Sequence, residues 1–249
     1  MIVLVLSATA ALCLVMIAGW AWQRARGNGG WTDVFWTFGT GACGVAVALW
    51  PLHGEPPTLR QLLAAALAAA WSLRLGLHIA QRVARSPEDA RYTLLRAEWG
   101  ADFQRRMALF LPSQAIVSIP LLVSVMLAAR NPAPGLGITD AAGAALLAAA
   151  VLGEGVADRQ LDSFKADPAS KGRICDVGLW GWSRHPNYFF EWLGWLALGG
   201  PAAMYAILNY ATGLPPLEAH MLRSRGAAFR AYQRRTSAFF PLPPGRRGA

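Results

Sequence analysis

The chain has 249 residues, of which 55% are hydrophobic and 15% are charged, and its formal net charge is +9. Soluble domains usually carry about 25% charged residues, so this composition excludes a soluble protein and indicates one embedded in a membrane. The basic residues are spread among loops between apolar runs. This distribution argues against a nucleic-acid partner and for contact with membrane lipids and their anionic headgroups.

Five apolar runs are long enough to cross a hydrocarbon core of roughly 30 Å, which takes about 20 residues. They lie near 2–22, 31–50, 61–80, 107–129 and 137–157. Two shorter runs follow, near 188–200 and 202–217, and they form either two tilted spans, which we favour, or one re-entrant hairpin. The sequence therefore predicts an all-α polytopic membrane bundle of about seven transmembrane helices, in a single domain over 1–249.

The distribution of basic residues predicts the orientation. Segments 23–30, 81–106, 158–186 and 218–249 hold every Lys and Arg except Arg60, Arg74 and Arg130. The positive-inside rule places these segments in the cytoplasm, with the N-terminus outside and the C-terminus inside. We therefore expect a multi-pass protein of the cell inner membrane.

Polar residues interrupt the second and third spans. Trp71, Arg74 and His78 recur at spacings of three and four, so they share one face of the third span. An intramembrane Arg is expensive in lipid, so Arg74 should face the bundle interior and a polar partner. Asp33, at the cytosolic start of the second span, is the predicted partner, although a cap on that helix explains it equally well.

The fifth span ends in an acidic face. Glu154, Asp158, Asp162 and Lys165 recur at spacings of four, four and three, so they share one side of a helix. A solvated helix end would explain this pattern. However, Glu154 lies where the helix is still apolar, and a carboxylate within a membrane is costly unless it serves a pocket. The pattern therefore favours a polar cavity.

The segment "GLWGWSRHPNYFFEWLGW" at 178–195 supplies a second group of polar residues. The residue before a proline is pushed out of helical geometry, so Arg184 and His185 should lie just before the sixth span. Asn187 and Glu191, four apart, should then stack on one face just inside it. A belt of interfacial aromatic residues explains the tryptophans but not these two polar side chains.

The same segment allows an anion site but predicts no metal site. Backbone N–H groups at the start of a helix, with Arg173 and Arg184 nearby, favour a bound anion. One His among scattered carboxylates lacks the ligand spacing of a zinc site. Further along, Glu218, Gly226 and Tyr232 belong to a basic helix whose pattern alone indicates binding at the membrane surface.

Residues 178–192, followed by E-x3-L-x3-G-x2-F-x2-Y-x3-T-x2-F-x-P, resemble the C-terminal core of the steroid 5-alpha-reductase-like membrane superfamily, in particular its DUF1295 branch. Relatives include sterol C14- and delta-7-reductases and, more distantly, isoprenylcysteine carboxyl methyltransferases. The specific motifs fall at about 140–245. The resemblance implies a membrane-embedded oxidoreductase that uses NADPH to reduce a C=C conjugated to a carbonyl in an apolar, steroid-like or lipid substrate.

Two alternatives stay open, and no obligate protein partner is implied. The RHPxY signature is shared with methyltransferases, so an S-adenosylmethionine-dependent enzyme acting on a lipid or small apolar molecule is the first alternative. A lipid-binding or scaffold protein without chemistry is the second. In either enzyme the resemblance places the cofactor cavity on the cytoplasmic side.

The resemblance also implies site residues. Asn187 and Glu191 would hold the nicotinamide amide, and Asp158 matches an Asp that binds NADPH in the reductases. Glu154 replaces an Asn there and Asp162 replaces an Arg, so NADH stays open beside NADPH. The implied cofactor-binding residues are Glu154, Asp158, Asp162, Lys165, Arg173, Arg184, His185, Asn187, Tyr188, Glu191 and Tyr232.

The catalytic residues are predicted to lie in the N-terminal half, where the reductases use a Glu and a Tyr on the substrate carbonyl. Trp71 occupies the approximate place of that Tyr, and its indole N–H can donate a hydrogen bond but cannot titrate. Asp33 is the best acidic candidate. The predicted catalytic residues are thus Asp33, Trp71 and Arg74, with the carbonyl beside Trp71 and Asp33 and the alkene directed at the nicotinamide.

Overall fold

The structure, a computed structural model, describes residues 1–51, 54–211 and 213–244. Residue 212 and the tail 245–249, which belong to the predicted ranges 202–217 and 218–249, lie outside the described residues. The described chain is helical and contains no named strand, which confirms the all-α prediction. Its helices are α1 (Ile2–Arg26), α2 (Trp31–Leu49), α3 (Leu59–Arg85), α4 (Ala90–Trp99), α5 (Phe103–Val117), α6 (Ile119–Ala129), α7 (Ile138–Ala166), α8 (Pro186–Ala197), α9 (Pro201–Ala206) and α10 (Leu214–Arg235).

The five predicted long spans are all present. By length and composition, α1, α2, α3, the stretch Ala90–Ala129 and α7 can each cross a membrane, so the protein is a polytopic helical membrane protein. In the fourth of these, α5 and α6 follow each other across Ser118. The orientation of the bundle in the membrane stays a prediction.

The two shorter predicted spans form shorter helices. α8 has 12 residues, or about 18 Å at 1.5 Å per residue, and α9 has six residues followed by one π turn at Ile207–Ala211. Each is shorter than the roughly 30 Å hydrocarbon core, so length favours the re-entrant hairpin over two tilted spans. Either form leaves the C-terminal segment on the same side of the membrane.

Packing divides the chain into two compact units. The first comprises Met1–Ala144 and Leu198–Ala203, and the second comprises Ala145–Ala197 and Met204–Ala249. The motif-bearing stretch predicted at about 140–245 therefore falls largely in the second unit. The predicted catalytic residues all fall in the first.

Small residues allow the helices of the first unit to approach closely. A Cβ on Gly41 of α2 would lie 2.1 Å from the side chain of Ser72 on α3, whose hydroxyl donates to the Thr37 carbonyl at 3.0 Å. On the same helix pair, Gly76 leaves room for the ring of Phe38. Lipid tails are as apolar as the helices, so membrane helices associate by such close packing rather than by hydrophobic burial.

The second unit is built around α7, α8 and α10. A Cβ on Gly153 of α7 would lie 2.2 Å from the Phe190 ring of α8, and one on Gly194 of α8 would lie 3.3 Å from Leu147 of α7. These glycines therefore let α7 and α8 pack closely. α10 bends at Gly226, where φ is 48° and a side chain would be strained.

An aromatic cluster closes the second unit near its C-terminus. Its rings lie with centroids 5.2 to 6.2 Å apart, mostly edge to face, which is the favoured arrangement for aromatic pairs. The members are Phe189, Trp192, Tyr205, Phe239 and Phe240. The cluster thereby joins α8 and α9 to the segment that follows α10.

Candidate functional site

Glu218 is the shared acceptor at the centre of the second unit's polar cluster. Arg184 donates to it through Nε at 2.7 Å and through Nη2 at 3.2 Å, which is a bidentate pair. The Nε2 of His185 lies 3.0 Å from Oε1, and the Gln233 amide donates to Oε2 at 3.0 Å. As predicted, α8 begins at Pro186, so Arg184 and His185 lie just before it.

Hydrogen bonds to backbone carbonyls attach the segment around Arg184 to residues 236–239. Arg184 donates from Nη1 to the Thr236 carbonyl at 2.7 Å and from its backbone N–H to the Ser237 carbonyl at 2.8 Å. The Ser183 hydroxyl donates to the Phe239 carbonyl at 2.8 Å. Arg184 therefore positions this segment, and its predicted contact with a cofactor anion stays a prediction.

The pair of His185 and Glu218 has a defined charge state. Burial lowers the pKa of His185 below its usual 6.5, and the neighbouring Glu218 carboxylate offsets this only in part. Burial also opposes ionisation of Glu218, but hydrogen bonds from His185 and Arg184 outweigh it and lower the pKa of Glu218 to about 2. At neutral pH a neutral His185 therefore donates from Nε2 to an ionised Glu218.

Three carboxylates are buried on the packed α7–α8 pair. Glu154 and Asp158 of α7 are 6% and 8% exposed, and Glu191 of α8 is 6% exposed. The indole N–H of Trp195 donates to Glu191 Oε1 at 3.2 Å. The part of the predicted acidic face that carries Glu154 and Asp158 is thus buried. Its far end, at Asp162 and Lys165, is exposed.

The remaining predicted cofactor residues have different environments in the second unit. The Tyr232 hydroxyl donates to the Trp180 carbonyl, and burial raises the pKa of Tyr232, so this side chain stays protonated and holds the 180–183 segment. The Tyr188 ring stacks on His185 with centroids 5.7 Å apart. Asn187 is half-buried at the start of α8, and Arg173 is exposed.

Asp33 is paired differently from the prediction. Its carboxylate accepts from Arg91 Nη2 at 2.6 Å and from the Tyr92 hydroxyl at 2.7 Å, so Arg91, and not Arg74, is its cationic partner. The reason is depth: Arg74 lies 11 residues before the end of α3, or about 16 Å, whereas Asp33 is in the first turn of α2. Asp33 does not cap α2, whose cap residue Gly30 has no side-chain hydrogen bond.

Trp71 is a buried member of the first unit. It is 3% exposed and meets the Trp36 ring edge to face, with centroids 6.2 Å apart. The indole N–H of Trp36 donates to the Ser118 hydroxyl at 2.9 Å. Trp71 is therefore held in a fixed position on α3. Its indole N–H is the group that the catalytic prediction assigns to the substrate carbonyl.

Sequence reasoning missed the partners of the predicted residues. The sequence pattern predicts Glu218 only as one member of a surface helix. However, Glu218 is the only acidic residue after Glu191 in the sequence and is the first residue of the C-terminal motif. That isolation was a usable signal, because Arg184 needs an anion when buried. Nothing in the sequence pointed to Arg91 or Tyr92 as partners of Asp33.

Comparison with known proteins places the chain in one family. Searches among curated proteins and among solved structures found no match. The model of the family described as "Protein of unknown function (DUF1295)" matches residues 19–236, which cover most of the chain. The matched range includes the polar clusters of both units. The chain therefore belongs to the DUF1295 family.

Proposed function

We propose that this protein is a membrane-embedded oxidoreductase that uses NADPH to reduce a carbon–carbon double bond conjugated to a carbonyl in an apolar, steroid-like or lipid substrate. The observation that carries the proposal is the burial of Glu154, Asp158 and Glu191 on two packed helices. Ionisable side chains within membrane helices are rare and, as a rule, mark functional sites. Three of them support a built site better than a scaffold without chemistry.

The polar groups of the second unit fit a dinucleotide. Carboxylates and the Asn187 amide offer the acceptors and donors that a carboxamide and ribose hydroxyls require. The exposed Lys165 and Arg173 supply positive charge for phosphates. When bound, the dihydronicotinamide would supply a hydride to the alkene carbon β to the carbonyl and leave as the oxidised nicotinamide, and a proton from water would complete the α carbon. NADPH is the proposed cofactor, with NADH as its alternative because Asp162 adds negative charge on the same face.

The chain's own residues have three tasks in this proposal. Glu154, Asp158, Asn187 and Glu191 bind and orient the cofactor. The pair of Arg184 and Glu218 keeps the segment before α8 attached to the chain end, so that Asn187 keeps its place. The apolar residues around them exclude water, which strengthens the polar contacts inside.

Reduction also requires a group that stabilises the negative charge developing on the carbonyl oxygen. Asp33, Trp71 and Arg74 of the first unit are proposed for this task. The Trp71 N–H is a hydrogen-bond donor, and the hydrogen bonds from Arg91 and Tyr92 fix the Asp33 carboxylate. The protein is proposed to lie in the cell inner membrane, and the apolar substrate is proposed to enter from the lipid. The 158–186 segment would then face the cytoplasm, where NADPH is available.

A methyltransferase is the second candidate, because buried carboxylates also complement the sulfonium cation of S-adenosylmethionine. The two cofactors differ in the charge that they require from the protein. NADPH carries phosphates and needs cations near its binding site, whereas S-adenosylmethionine carries none. The exposed Lys165 and Arg173, which follow Asp158 in the chain, favour NADPH.

Equilibrium binding to the purified full-length protein in mild detergent tests the proposal. NADPH should bind more tightly than S-adenosylmethionine, and Asn187→Ala should weaken NADPH about tenfold, the effect of losing roughly one good hydrogen-bonding group. Asn209→Ala is the control, because Asn209 is half-buried in the same unit and its amide donates to the Tyr205 carbonyl. Tighter binding of S-adenosylmethionine, with no effect of NADPH, would favour the methyltransferase.

A further inference from the structure

A groove of about 520 Å³ runs along the second half of α7 and belongs to the second unit. Volumes of this size accommodate small ligands. Its walls include Val156 and Phe164 on the apolar side and Arg159, Ser163, Asp167 and Ser170 on the polar side. The predicted site residues do not line it, and the proposed reduction does not use it.

The groove lies on the side of α7 away from the buried carboxylates. Successive residues of an α-helix are about 100° apart, so Val156 and Ser163 point roughly half a turn away from Glu154. Glu154 and Asp158 are buried, whereas Val156 and Arg159 are exposed. The groove is therefore a separate feature and can hold a ligand of its own.

The residues along the groove follow a definite chemical order. Val156, which is 37% exposed, lines the groove toward the apolar part of α7, and Leu152, which is four residues earlier and 67% exposed, extends this apolar face beyond the groove. Arg159 and Ser163 follow four residues apart on one face of α7, and Asp167 comes just after the helix ends at Ala166, so a cation, a hydroxyl and an anion succeed each other along the groove. The groove lining therefore changes from apolar to cationic to anionic in the direction from the membrane span toward the C-terminal end of α7.

The polar end of the groove is fixed by hydrogen bonds. Asp167 Oδ1 accepts from the Ala169 N–H at 2.9 Å, and Oδ2 accepts from the Ser170 hydroxyl at 3.3 Å. On the opposite wall, Gln160 accepts from the Leu179 N–H at 2.9 Å beside Gly178. A Cβ on Gly178 would lie 2.6 Å from Gln160, so the wall closes tightly there.

We infer that this groove binds one membrane phospholipid whose zwitterionic headgroup carries a primary ammonium, as in phosphatidylethanolamine. The acyl chain lies against Leu152 and Val156, the phosphate accepts hydrogen bonds from Arg159 and Ser163, and the ammonium donates to Asp167. The acyl chain, phosphate and ammonium of such a lipid follow one another from the bilayer interior outward, which is the order of the apolar, cationic and anionic residues along the groove. One cation and one anion complement a zwitterion.

Other lipids match the groove less well. The quaternary ammonium of phosphatidylcholine has no N–H to donate to Asp167. Phosphatidylglycerol brings a negative phosphate without a cation, which leaves Asp167 facing like charge. The groove therefore distinguishes headgroups by the group that reaches Asp167, and the hydrogen bonds that already fix this carboxylate keep it in place.

Thermal unfolding of the full-length protein in detergent, with one added lipid at a time, tests the inference. Phosphatidylethanolamine at several times its dissociation constant should raise the unfolding midpoint by about 2–4 °C relative to lipid-free protein. Phosphatidylcholine and phosphatidylglycerol should raise it by less than half as much. Native mass spectrometry should find one phosphatidylethanolamine retained per chain.

Two variants and one control localise the effect. Arg159→Gln removes the cation but keeps a good helix former, and Asp167→Asn removes the charge but keeps the ability to cap the following turn. Both should lose the response to phosphatidylethanolamine, whereas Arg223→Gln, an exposed change on α10, should keep it. Equal stabilisation by phosphatidylcholine or phosphatidylglycerol, or a full response in both variants, would overturn the inference.

Discussion

Replacing Glu218 with glutamine is expected to destabilise the protein, because this carboxylate accepts from Arg184, His185 and Gln233 together. Glutamine keeps the length of the side chain and one oxygen, but it loses the charge and half of the bidentate pair with Arg184. Breaking one side of a buried ion pair leaves the other charge without compensation, and this penalty outweighs the loss of a single hydrogen bond.

The size of the effect follows from the pKa of Glu218. A decrease from 4.5 to about 2 corresponds to about 3 kcal/mol, at about 1.36 kcal/mol per pKa unit. The side chain is 18% exposed, and solvent screening reduces this figure, so a loss of about 2 kcal/mol is expected at neutral pH. For a chain of this length, that loss lowers the thermal midpoint by about 4–8 °C.

Tryptophan fluorescence during heating in mild detergent measures this midpoint. Glu98→Gln, an exposed carboxylate changed in the same way, is the matched control and should shift the midpoint little. The pKa of Glu218 is lowered on folding, so its contribution is complete above pH 4.5 and is lost as the pH falls through about 2. Equal midpoints for the Glu218 and Glu98 variants at neutral pH would refute this reasoning.

Three further predictions concern other parts of the chain. Gly153→Ala should lower the free energy of unfolding by about 1–3 kcal/mol, because its Cβ would lie 2.2 Å from the Phe190 ring. Gly155→Ala, whose Cβ would have its nearest atom at 3.8 Å, should stabilise α7 by up to about 1 kcal/mol. Equal thermal midpoints for the two variants would contradict this. Burial lowers the pKa of His185, so stability should be complete above pH 6.5 and fall below it. His185→Gln should remove that dependence in midpoints measured from about pH 7.5 to pH 5, and an unchanged slope would count against it. Asp33→Asn should lower turnover of the true substrate while NADPH affinity stays the same; unchanged turnover would reject a catalytic role for Asp33.

Local signals in the sequence predicted local structure well. The five long apolar runs became helices, and Pro186 marked the start of α8 because proline suits the first helical turn. The spacing of Glu154 and Asp158 predicted one helix face, and both residues are buried on it. These predictions succeeded because each depends on periodicity or on one backbone constraint.

Partners distant in the chain were not predictable from spacing. Arg184 meets Glu218 across 34 residues, and Asp33 meets Arg91 across 58, so neither pair leaves a periodic pattern. The pairing of Asp33 with Arg74 was predicted from charge and from the cytosolic ends of the two spans, and it was wrong because the two residues differ in depth along their helices. The run at 188–200 predicted the short α8 closely, but the early end of α9 at Ala206 was not predictable, since the residues that follow it are apolar as well.

The transfer of hydride, rather than of a methyl group, is the central claim, and a double-label experiment tests it most directly. Purified protein in mild detergent is supplied with a lipid extract, NADPH in which both hydrogens at C4 of the nicotinamide are deuterium, and methyl-deuterated S-adenosylmethionine. The lipids are then analysed by mass spectrometry. The account predicts a saturated product with one deuterium on carbon, reduced in amount with Asn187→Ala. A product that instead carries the deuterated methyl group would contradict the account.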